Sequence, residues 1–457
     1  MVIPSEILTA ITRETGGGLV VVLGAGCSLE SPTSLRLASE YARDGYRKLV
    51  ANGRVPENAD LNDEDLAAVA SYCVEHAKRE ALRELVPLEP FRLAESNVGT
   101  QIVMALLRED LVRMVVTLNL DLSANNALTK VSSNSDVVVI SRQDQHGAYG
   151  VRNLVYLHGN VSEQPDLWVL TTEDLVKAET SGWHQLMAVM ATAASVTLFA
   201  GMGSEANVFA RSVQWIRANL PEGQTSVYLA SLDDGPVSEF ASSLKIDNEH
   251  YIKLGWCDLM RAIGHRACQE MTSVLLESAN AVQREASWRY SNVDCTGIEQ
   301  PLLRLGLIGL GQVRALWLGD DTNYLPQRGI PQQEVNRLAE LLVLAAAVAI
   351  HLGTSFNVST FGAIDFEERP SVLLRSGGRF DWTALETRVR REYREAPNAH
   401  LFPRQAILAH ARNRPTNNRV PLDIVDGGGD PRDVAVGDSQ VTFLDFDDVL
   451  ANPGLVG

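Results

Sequence analysis

Leu19-Val20-Val21-Val22-Leu23 runs without a break into Gly24-Ala25-Gly26-Cys27-Ser28. An unbroken apolar run rich in β-branched residues reads as a strand covered on both faces, and a glycine pair with a small hydroxyl residue reads as the turn at its carboxyl end. Open α/β sheets bind ligands at such turns. Without side chains, Gly24 and Gly26 would let a pyrophosphate approach the backbone, with donors from the N–H groups of the next helix and from the Ser28 hydroxyl. The same turn also serves a helix that merely packs back on the sheet, so the rest of the chain must discriminate.

Downstream, Leu35 to Val50 has helical apolar spacing behind Ser31-Pro32-Thr33-Ser34, which predicts a helix started by a Ser or Thr cap. Residues 61–107 read as a helical insertion with a break at Pro87 to Pro90. Strand character returns at Arg113 to Thr117, Val137 to Ile140, Asn153 to Leu157, Val196 to Ala200 and Ser226 to Ala230. Alternation of these runs with helical patterns predicts a doubly wound, Rossmann-like parallel α/β sheet closed by a helix from near Trp256 to about residue 280.

Glu277 to Gln300 is polar enough to be a linker, so the expected domains are 1–280 and 281–457, the second of mixed α/β character. In the second, Gln333 to Leu352 and Trp382 to Glu395 read as helices, and Val313 to Leu318 and Ser371 to Arg375 as strands. Leu305 to Arg314 superficially resembles a dinucleotide fingerprint, but Arg314 stands where the third glycine belongs, so a turn is expected. Asp426-Gly427-Gly428-Gly429-Asp430-Pro431 reads as a loop, and the acidic segment Phe443 to Asp448 as a solvated tail.

With 40 basic and 57 acidic residues the net charge is −17, which disfavours direct binding of nucleic acid or an anionic membrane. The cysteines at positions 27, 73, 257, 268 and 295 form no Cys-x-x-Cys pair, so neither structural zinc nor a disulfide framework is expected. The opening residues carry no basic-then-apolar leader, and the longest apolar run, Leu341 to Ile350, is about half the ~20 residues that a bilayer requires. A soluble cytoplasmic protein, with that run as a buried helix, is the expectation.

Three further motifs fall at strand ends. In Thr117-Leu118-Asn119-Leu120-Asp121, Asn119 offers a donor and an acceptor for a ribose hydroxyl or a water, and Asp121 either adds acceptors or caps a helix. In Leu157-His158-Gly159 an imidazole stands beside a glycine that leaves room for substrate, which suits acid or base work near neutral pH. In Phe199-Ala200-Gly201-Met202-Gly203-Ser204 small residues again end a strand, where adenosine could lie against the backbone.

Together these motifs resemble the sirtuin-like NAD-binding fold over about Gly16 to His265: G-A-G-x-S at Gly24 to Ser28, T-x-N-x-D at Thr117 to Asp121, H-G at His158 and Gly159, and the turn at Gly201 to Ser204. The four-cysteine zinc module of the protein deacylases is absent, and Ser31-Pro32-Thr33-Ser34 replaces their Ile-Pro-Asp-Phe-Arg type segment. Pro32-Thr33 and Leu170-Thr171-Thr172-Glu173-Asp174 look like a bacterial branch that hydrolyses NAD in antiphage defence. That branch often carries an acidic residue followed by proline after the fourth turn; here the stretch is Glu205-Ala206-Asn207.

The resemblance implies an NAD+ glycohydrolase without a metal that releases nicotinamide and ADP-ribose. Asn119 would position water or a ribose hydroxyl, His158 would act as base or hydrogen-bond partner, and Asp121 would orient Asn119. Gly24, Ala25, Gly26 and Ser28 would bind the pyrophosphate, with Thr117, Gly201, Gly203 and Ser204 completing the NAD contacts. Members are usually silent until assembled, which implies a homo-oligomer or a partner such as a helicase-like ATPase or an Argonaute-like sensor, engaged through the second domain. The alternatives are a non-catalytic NAD or ADP-ribose sensing module and, with less support, a protein deacylase. A carboxylate-pair glycosidase is disfavoured, since no such pair stands out at the strand ends.

Overall fold

The computed structural model describes residues 3–12, 18–131, 137–150, 152–203, 206–219, 225–283 and 299–318, and beyond these 345–346, 348–350, 352–358, 364–366, 371–376, 405–410, 435–436, 439–440 and 442–455. The chain forms two compact units, Met1–Ala267 and Cys268–Gly457.

The first unit is built on seven strands: β1 (Leu19–Leu23), β2 (Val112–Thr117), β3 (Val137–Ile140), β4 (Arg152–Tyr156), β5 (Val196–Ala200), β6 (Ser226–Ser231) and β7 (Tyr251–Lys253). Their order is β3-β4-β2-β1-β5-β6-β7 and every pairing is parallel. All five side chains of β1 are buried, as its apolar run requires of a central strand. The chain leaves β1 for β2 on one side and later places β5 on the other, so the direction of winding reverses at β1. The carboxyl ends of β4, β2, β1 and β5 lie side by side there, and they carry the four motifs.

Among the described residues the helices up to Leu318 are α1 (Ser5–Ala10), α2 (Ala38–Ala51), α3 (Leu66–Ala77), α4 (Leu82–Leu85), α5 (Leu88–Arg92), α6 (Val98–Arg108), α7 (Ser123–Val131), α8 (Thr172–Thr180), α9 (Gly182–Thr192), α10 (Asn207–Arg217), α11 (Glu239–Leu244), α12 (Trp256–Gln283) and α13 (Glu299–Leu318). One core layer joins the sheet to α9, α10 and α11 through Phe199, Phe209, Met187 and Leu244. A second, separate core lies in the helical insertion, where Leu49, Val69, Leu82 and Leu85 pack with Trp168 and Leu170 from the segment after β4.

An arginine fastens that insertion. Arg79 donates to both carboxylate oxygens of Asp174, at 2.9 and 3.0 Å, and to the carbonyls of Pro165 and Trp168. Asp174 also closes a capping box, because its Oδ2 accepts from the Thr171 amide while Thr171 Oγ1 accepts from the Asp174 amide. The Leu170–Asp174 stretch therefore has a complete structural role in starting α8.

Local differences from the sequence reading have physical causes. Helix α2 starts at Ala38 rather than Leu35, and no Ser or Thr caps it; the Glu40 carboxylate accepts the Leu37 amide at 3.0 Å instead. Val313 to Leu318 is helical, not a strand, and Leu305 to Arg314 is helix rather than turn, interrupted only at Gly306 with φ of 65°. After that break Leu307 and Leu310 are buried at i and i+3, the spacing of one helix face.

The acidic Phe443 to Asp448 is also not a free tail. It covers most of β14 and the start of a helix, Phe446–Ala451, whose Val449 is buried. The second unit holds a mixed sheet of β8 (Phe356–Val358), β9 (Ile364–Phe366), β10 (Ser371–Ser376), β11 (Gln405–His410) and β14 (Thr442–Asp445), in the order β14-β11-β10-β9-β8. The pair β12 (Ala435–Val436) and β13 (Ser439–Gln440) forms a separate ribbon. Within Gln333 to Leu352, residues 345–346 and 348–350 are helical, with Ala345, Ala346, Val348 and Ala349 buried. The helix expected at Trp382 to Glu395 and the loop expected at Asp426 to Pro431 lie outside the described residues. Among the described residues no helix is long and apolar enough to cross a membrane.

Candidate functional site

The turns after β1 and β5 touch each other through glycines. The amides of Gly24 and Gly26 donate to the carbonyls of Ala200 and Gly201, both at 2.9 Å. A Cβ on Gly24 would stand 2.3 Å from the Gly201 carbonyl oxygen, and one on Gly26 would stand 2.7 Å from Gly201 Cα. Gly201 itself has φ of 64°, and its own Cβ would meet the Cys27 nitrogen at 2.4 Å. These glycines therefore do more than expose a backbone to a ligand: they let two loops share one narrow seam.

The segment Ala25–Ser28 is a single 3-10 turn, not the start of a long helix. Asn97, fully buried, holds it from below by donating Nδ2 to the Cys27 carbonyl at 2.8 Å, while its Oδ1 caps α6 through the Thr100 amide. Cys27 is buried with Sγ 3.3 Å from the Ala200 carbonyl, and burial pushes its thiol well above the ordinary range, so it packs rather than attacks.

Asn119 meets this turn directly. Its Nδ2 donates to the Gly24 carbonyl at 3.1 Å and to Ser28 Oγ at 3.3 Å, which leaves Oδ1 as the acceptor for a ligand or water. The Ser28 hydroxyl donates to Asp121 Oδ2 at 3.0 Å, and the Ser123 amide donates to Asp121 Oδ1 at 2.9 Å. Asp121 thus both caps the start of α7 and orients Asn119 through Ser28. It is buried, and burial raises its carboxyl above the usual range against the bonds from Ser123 and Ser28.

Several of the expected NAD contacts already have partners within the protein. The Ser28 proton is committed to Asp121, and the amides of Gly24, Gly26 and Cys27 are committed to backbone carbonyls, so the turn has fewer free donors for a pyrophosphate than its sequence suggests. Thr117 is buried and its Oγ1 accepts the Asn119 amide at 3.1 Å, so it shapes the Asn119 loop from beneath. Gly203 lines the cavity described next, and Ser204 lies outside the described residues.

Asn119, Asp121, Ser28 and His158 all line one cavity of about 830 Å³ at the strand ends. Residues of the insertion line it as well, the apolar Leu66, Leu85, Val86 and Phe91 together with Glu64 and Asp65. His158 follows β4, and Gly159 after it has φ of 76°, where a Cβ would meet the Leu167 carbonyl at 2.8 Å. The imidazole is 3% exposed and its Nε2 has no partner within the protein. Burial, followed by the neighbouring His184, lowers its pKa to about 3, so the ring is neutral at physiological pH.

Sequence reasoning missed four residues here. His184 of α9 stacks on His158 with ring centroids 5.4 Å apart and planes 14° apart. Asn207, at the first turn of α10, is 7% exposed, lines the cavity and has an unpartnered Oδ1. Glu30 lines the cavity and accepts the Cys257 amide, in the first turn of α12, with both carboxylate oxygens at 3.2 Å. Asn97 is the fourth. None belongs to a short motif, and only the acid-or-amide composition of Glu205-Ala206-Asn207 pointed near one of them. Among the described residues no group of His, Cys, Asp or Glu could hold a metal ion.

With this geometry in hand, comparison with known proteins is informative. Residues 113–252 match the SIR2-like domain. The match starts in β2 and ends in β7, so it takes in Asn119, Asp121, His158 and Gly201, while the Gly24 turn falls outside it. No curated protein matches the chain. Among solved structures, a Sir2 homologue in complex with NAD is 14% identical over 57% of this chain and 93% of its own, with a TM-score of 0.32. A sirtuin structure on substrate affinity is 14% identical, covering 57% and 96%, with a TM-score of 0.29. A Sir2 homologue variant with ADP-ribose is 15% identical, covering 60% and 99%, with a TM-score of 0.34.

Proposed function

We propose that the chain is an NAD+ glycohydrolase that breaks the bond between nicotinamide nitrogen and the ribose C1′ carbon. The observation that carries this reading is the convergence of a pinned Asn119 and a buried neutral His158 on one cavity at the winding reversal of the sheet. The SIR2-like match over 113–252 supports NAD as the substrate.

In the reaction nicotinamide leaves with the bond's electron pair as a neutral group, and the ribose carbon becomes cation-like. A water then adds at C1′ and loses a proton. The protein's part is to hold the ribose, exclude bulk water and place that one water. Asn119 Oδ1 accepts from the water or from a ribose hydroxyl, because its amide nitrogen is fixed by Gly24 and Ser28. Neutral His158 acts as base or hydrogen-bond partner on a ribose hydroxyl or the water. Asp121 acts through Ser28 on Asn119. In this reading the diphosphate lies along the turn of Gly24, Ala25, Gly26 and Ser28, with Gly201, Gly203 and Ser204 nearer adenosine.

The biological reading is NAD depletion in antiphage defence, with the site silent until homo-oligomerisation or a partner such as a helicase-like ATPase or an Argonaute-like sensor engages residues 281–457. The test is NAD consumption by the purified full chain, alone and with its genomic neighbour or a phage extract, following nicotinamide and ADP-ribose. Nicotinamide release that disappears in Asn119→Ala supports the hydrolase. Saturable NAD binding with no release under any condition replaces it by a sensing module.

A further inference from the structure

The half of the cavity that lies away from the reacting pair is lined by hydrogen-bond acceptors. Asn119 and His158 stand at the ends of β2 and β4, and the lining continues past the glycine seam to Ala230 and Ser231 at the end of β6 and to Gly255 beyond β7. Three strand spacings separate β2 from β6, about 14 Å. A ligand that reacts at Asn119 and runs along the strand ends therefore sets its far half there. Asn207 lines the cavity at the start of α10; it is 7% exposed, and its Oδ1 has no partner within the protein. A buried acceptor in that state is met by a donor on the ligand.

Glu30 adds a carboxylate to the same lining. Both of its oxygens accept the Cys257 amide at 3.2 Å, and a Cβ on Gly255 would lie 3.1 Å from Oε1, so the glycine leaves the room that the carboxylate uses. The start of a long helix such as α12 is where a phosphate would be seated, and here a side-chain anion already fills that seat. A carboxylate has about four lone-pair sites, of which one amide hydrogen engages at most two, so Glu30 keeps capacity to accept. Among the described residues that line the cavity, Arg36 and Arg211 are the cationic side chains, and both are engaged. Arg36 pairs with Asp44 at 2.6 Å, and Arg211 grips Glu179 through bonds of 2.7 and 2.9 Å, with Glu239, another lining carboxylate, also acting on it. Beside this end Lys253 pairs with Asp234 and Arg261 with Asp258.

We propose that this end of the cavity receives the adenosine ribose as a free vicinal diol, and that Glu30 is the residue that selects NAD+ and rejects NADP+. The diol offers two O–H donors, one to the Glu30 carboxylate and one to Asn207 Oδ1. A 2′-phosphate instead brings acceptors and about two negative charges against a lining of acceptors. The inference rests on the NAD-cleavage reading, which puts the reacting bond at Asn119 and so the adenosine at the far end.

The experiment is calorimetric titration of the full chain, wild type and Glu30→Gln, with NAD+ and with NADP+. Wild type is expected to bind NAD+ about 100-fold more tightly than NADP+ at low salt, the effect of a like charge set against the added phosphate. Glu30→Gln keeps an acceptor for the Cys257 amide; it is expected to lose about tenfold in NAD+ affinity, one charge-assisted hydrogen bond, and to bring the NAD+ to NADP+ ratio below about tenfold. Between about 50 and about 500 mM salt the Debye length falls from roughly 14 to roughly 4 Å, so the wild-type ratio should fall as well, whereas a ratio set by shape alone would not respond. NADP+ bound as tightly as NAD+ by wild type, or a ratio unchanged in Glu30→Gln, overturns the proposal and leaves the NAD reading standing. Should Glu30→Gln not fold, a wild-type ratio indifferent to salt overturns it. Binding of neither dinucleotide, alone or with the genomic neighbour, overturns the NAD reading and this proposal with it.

Discussion

Replacing Gly201 with alanine tests whether the seam between the two turns is what holds the site together. Gly201 and Gly53 share a φ of 64°, but a Cβ at Gly53 would have nothing within 4 Å, while one at Gly201 would lie 2.4 Å from Cys27 N and 2.8 Å from Gly26 C. Both variants carry the left-handed backbone cost of about 1–2 kcal/mol. Only Gly201→Ala adds overpacking against backbone, worth about 1–3 kcal/mol more. At roughly 2–4 °C per kcal/mol for a unit of this size, Gly53→Ala should lower the melting midpoint by about 2–8 °C and Gly201→Ala by about 4–20 °C.

The functional arm is sharper. Pushing Gly26 and Cys27 away from Gly201 also shifts Gly24, whose carbonyl holds the Asn119 amide. A displacement of about 1 Å costs on the order of 100-fold in rate. Thermal unfolding and nicotinamide release, measured on the two variants side by side below both midpoints, check this. Equal midpoint shifts with NAD cleavage retained in both would refute the reasoning.

Further outcomes follow from the same geometry. Asn119→Ala and His158→Ala should keep the far-ultraviolet circular dichroism of wild type and lose NAD cleavage; full activity in either sinks the assigned mechanism. His158 has a folded pKa of about 3 against an ordinary 6.5, so its contribution to stability is complete above pH ~6.5 and is lost as pH falls toward the folded value. His158→Phe should accordingly flatten the decline of stability in urea titrations between neutral and acid pH, and an unchanged slope would contradict the buried neutral ring.

Arg79→Met should destabilise the insertion by about 1–3 kcal/mol near neutral pH. Burial opposes the charged form of Asp174, but the bonds from Arg79 and Thr171 outweigh it and lower the pKa. That stabilisation is present above the ordinary carboxylate value and disappears as pH falls through the lowered one, so mutant and wild-type midpoints should converge in acid. Asn207→Leu removes an unpartnered acceptor that faces the cavity; an increase in KM for NAD of about tenfold with kcat kept is expected, in line with the loss of one ligand hydrogen bond, and an unchanged KM would remove Asn207 from the site.

Sequence alone determined six of the seven strands of the first unit and the strand ends at which the four motifs lie; Tyr251–Lys253, at the sheet edge, was not among its runs. Periodicity and β-branched runs depend on local backbone preference and on burial from both faces, which is why β1, β3 and β5 match the expected bounds residue for residue. The Asn119, Asp121 and His158 motifs were legible because each sits at the carboxyl end of such a strand. The second unit was less legible: at Val313 to Leu318 a short apolar run fits strand or helix, and periodicity alone does not separate the two.

Tertiary structure decided what the motif residues do to one another. The glycines of two turns 175 or so residues apart in sequence fit into a common seam, Ser28 spends its proton on Asp121, and Thr117 turns inward. His158 after β4 and His184 in α9 stack on one another, a contact that no spacing in a linear chain encodes. Strand ends announce themselves through local chemistry, whereas partners that meet across a sheet are fixed only by how its layers pack.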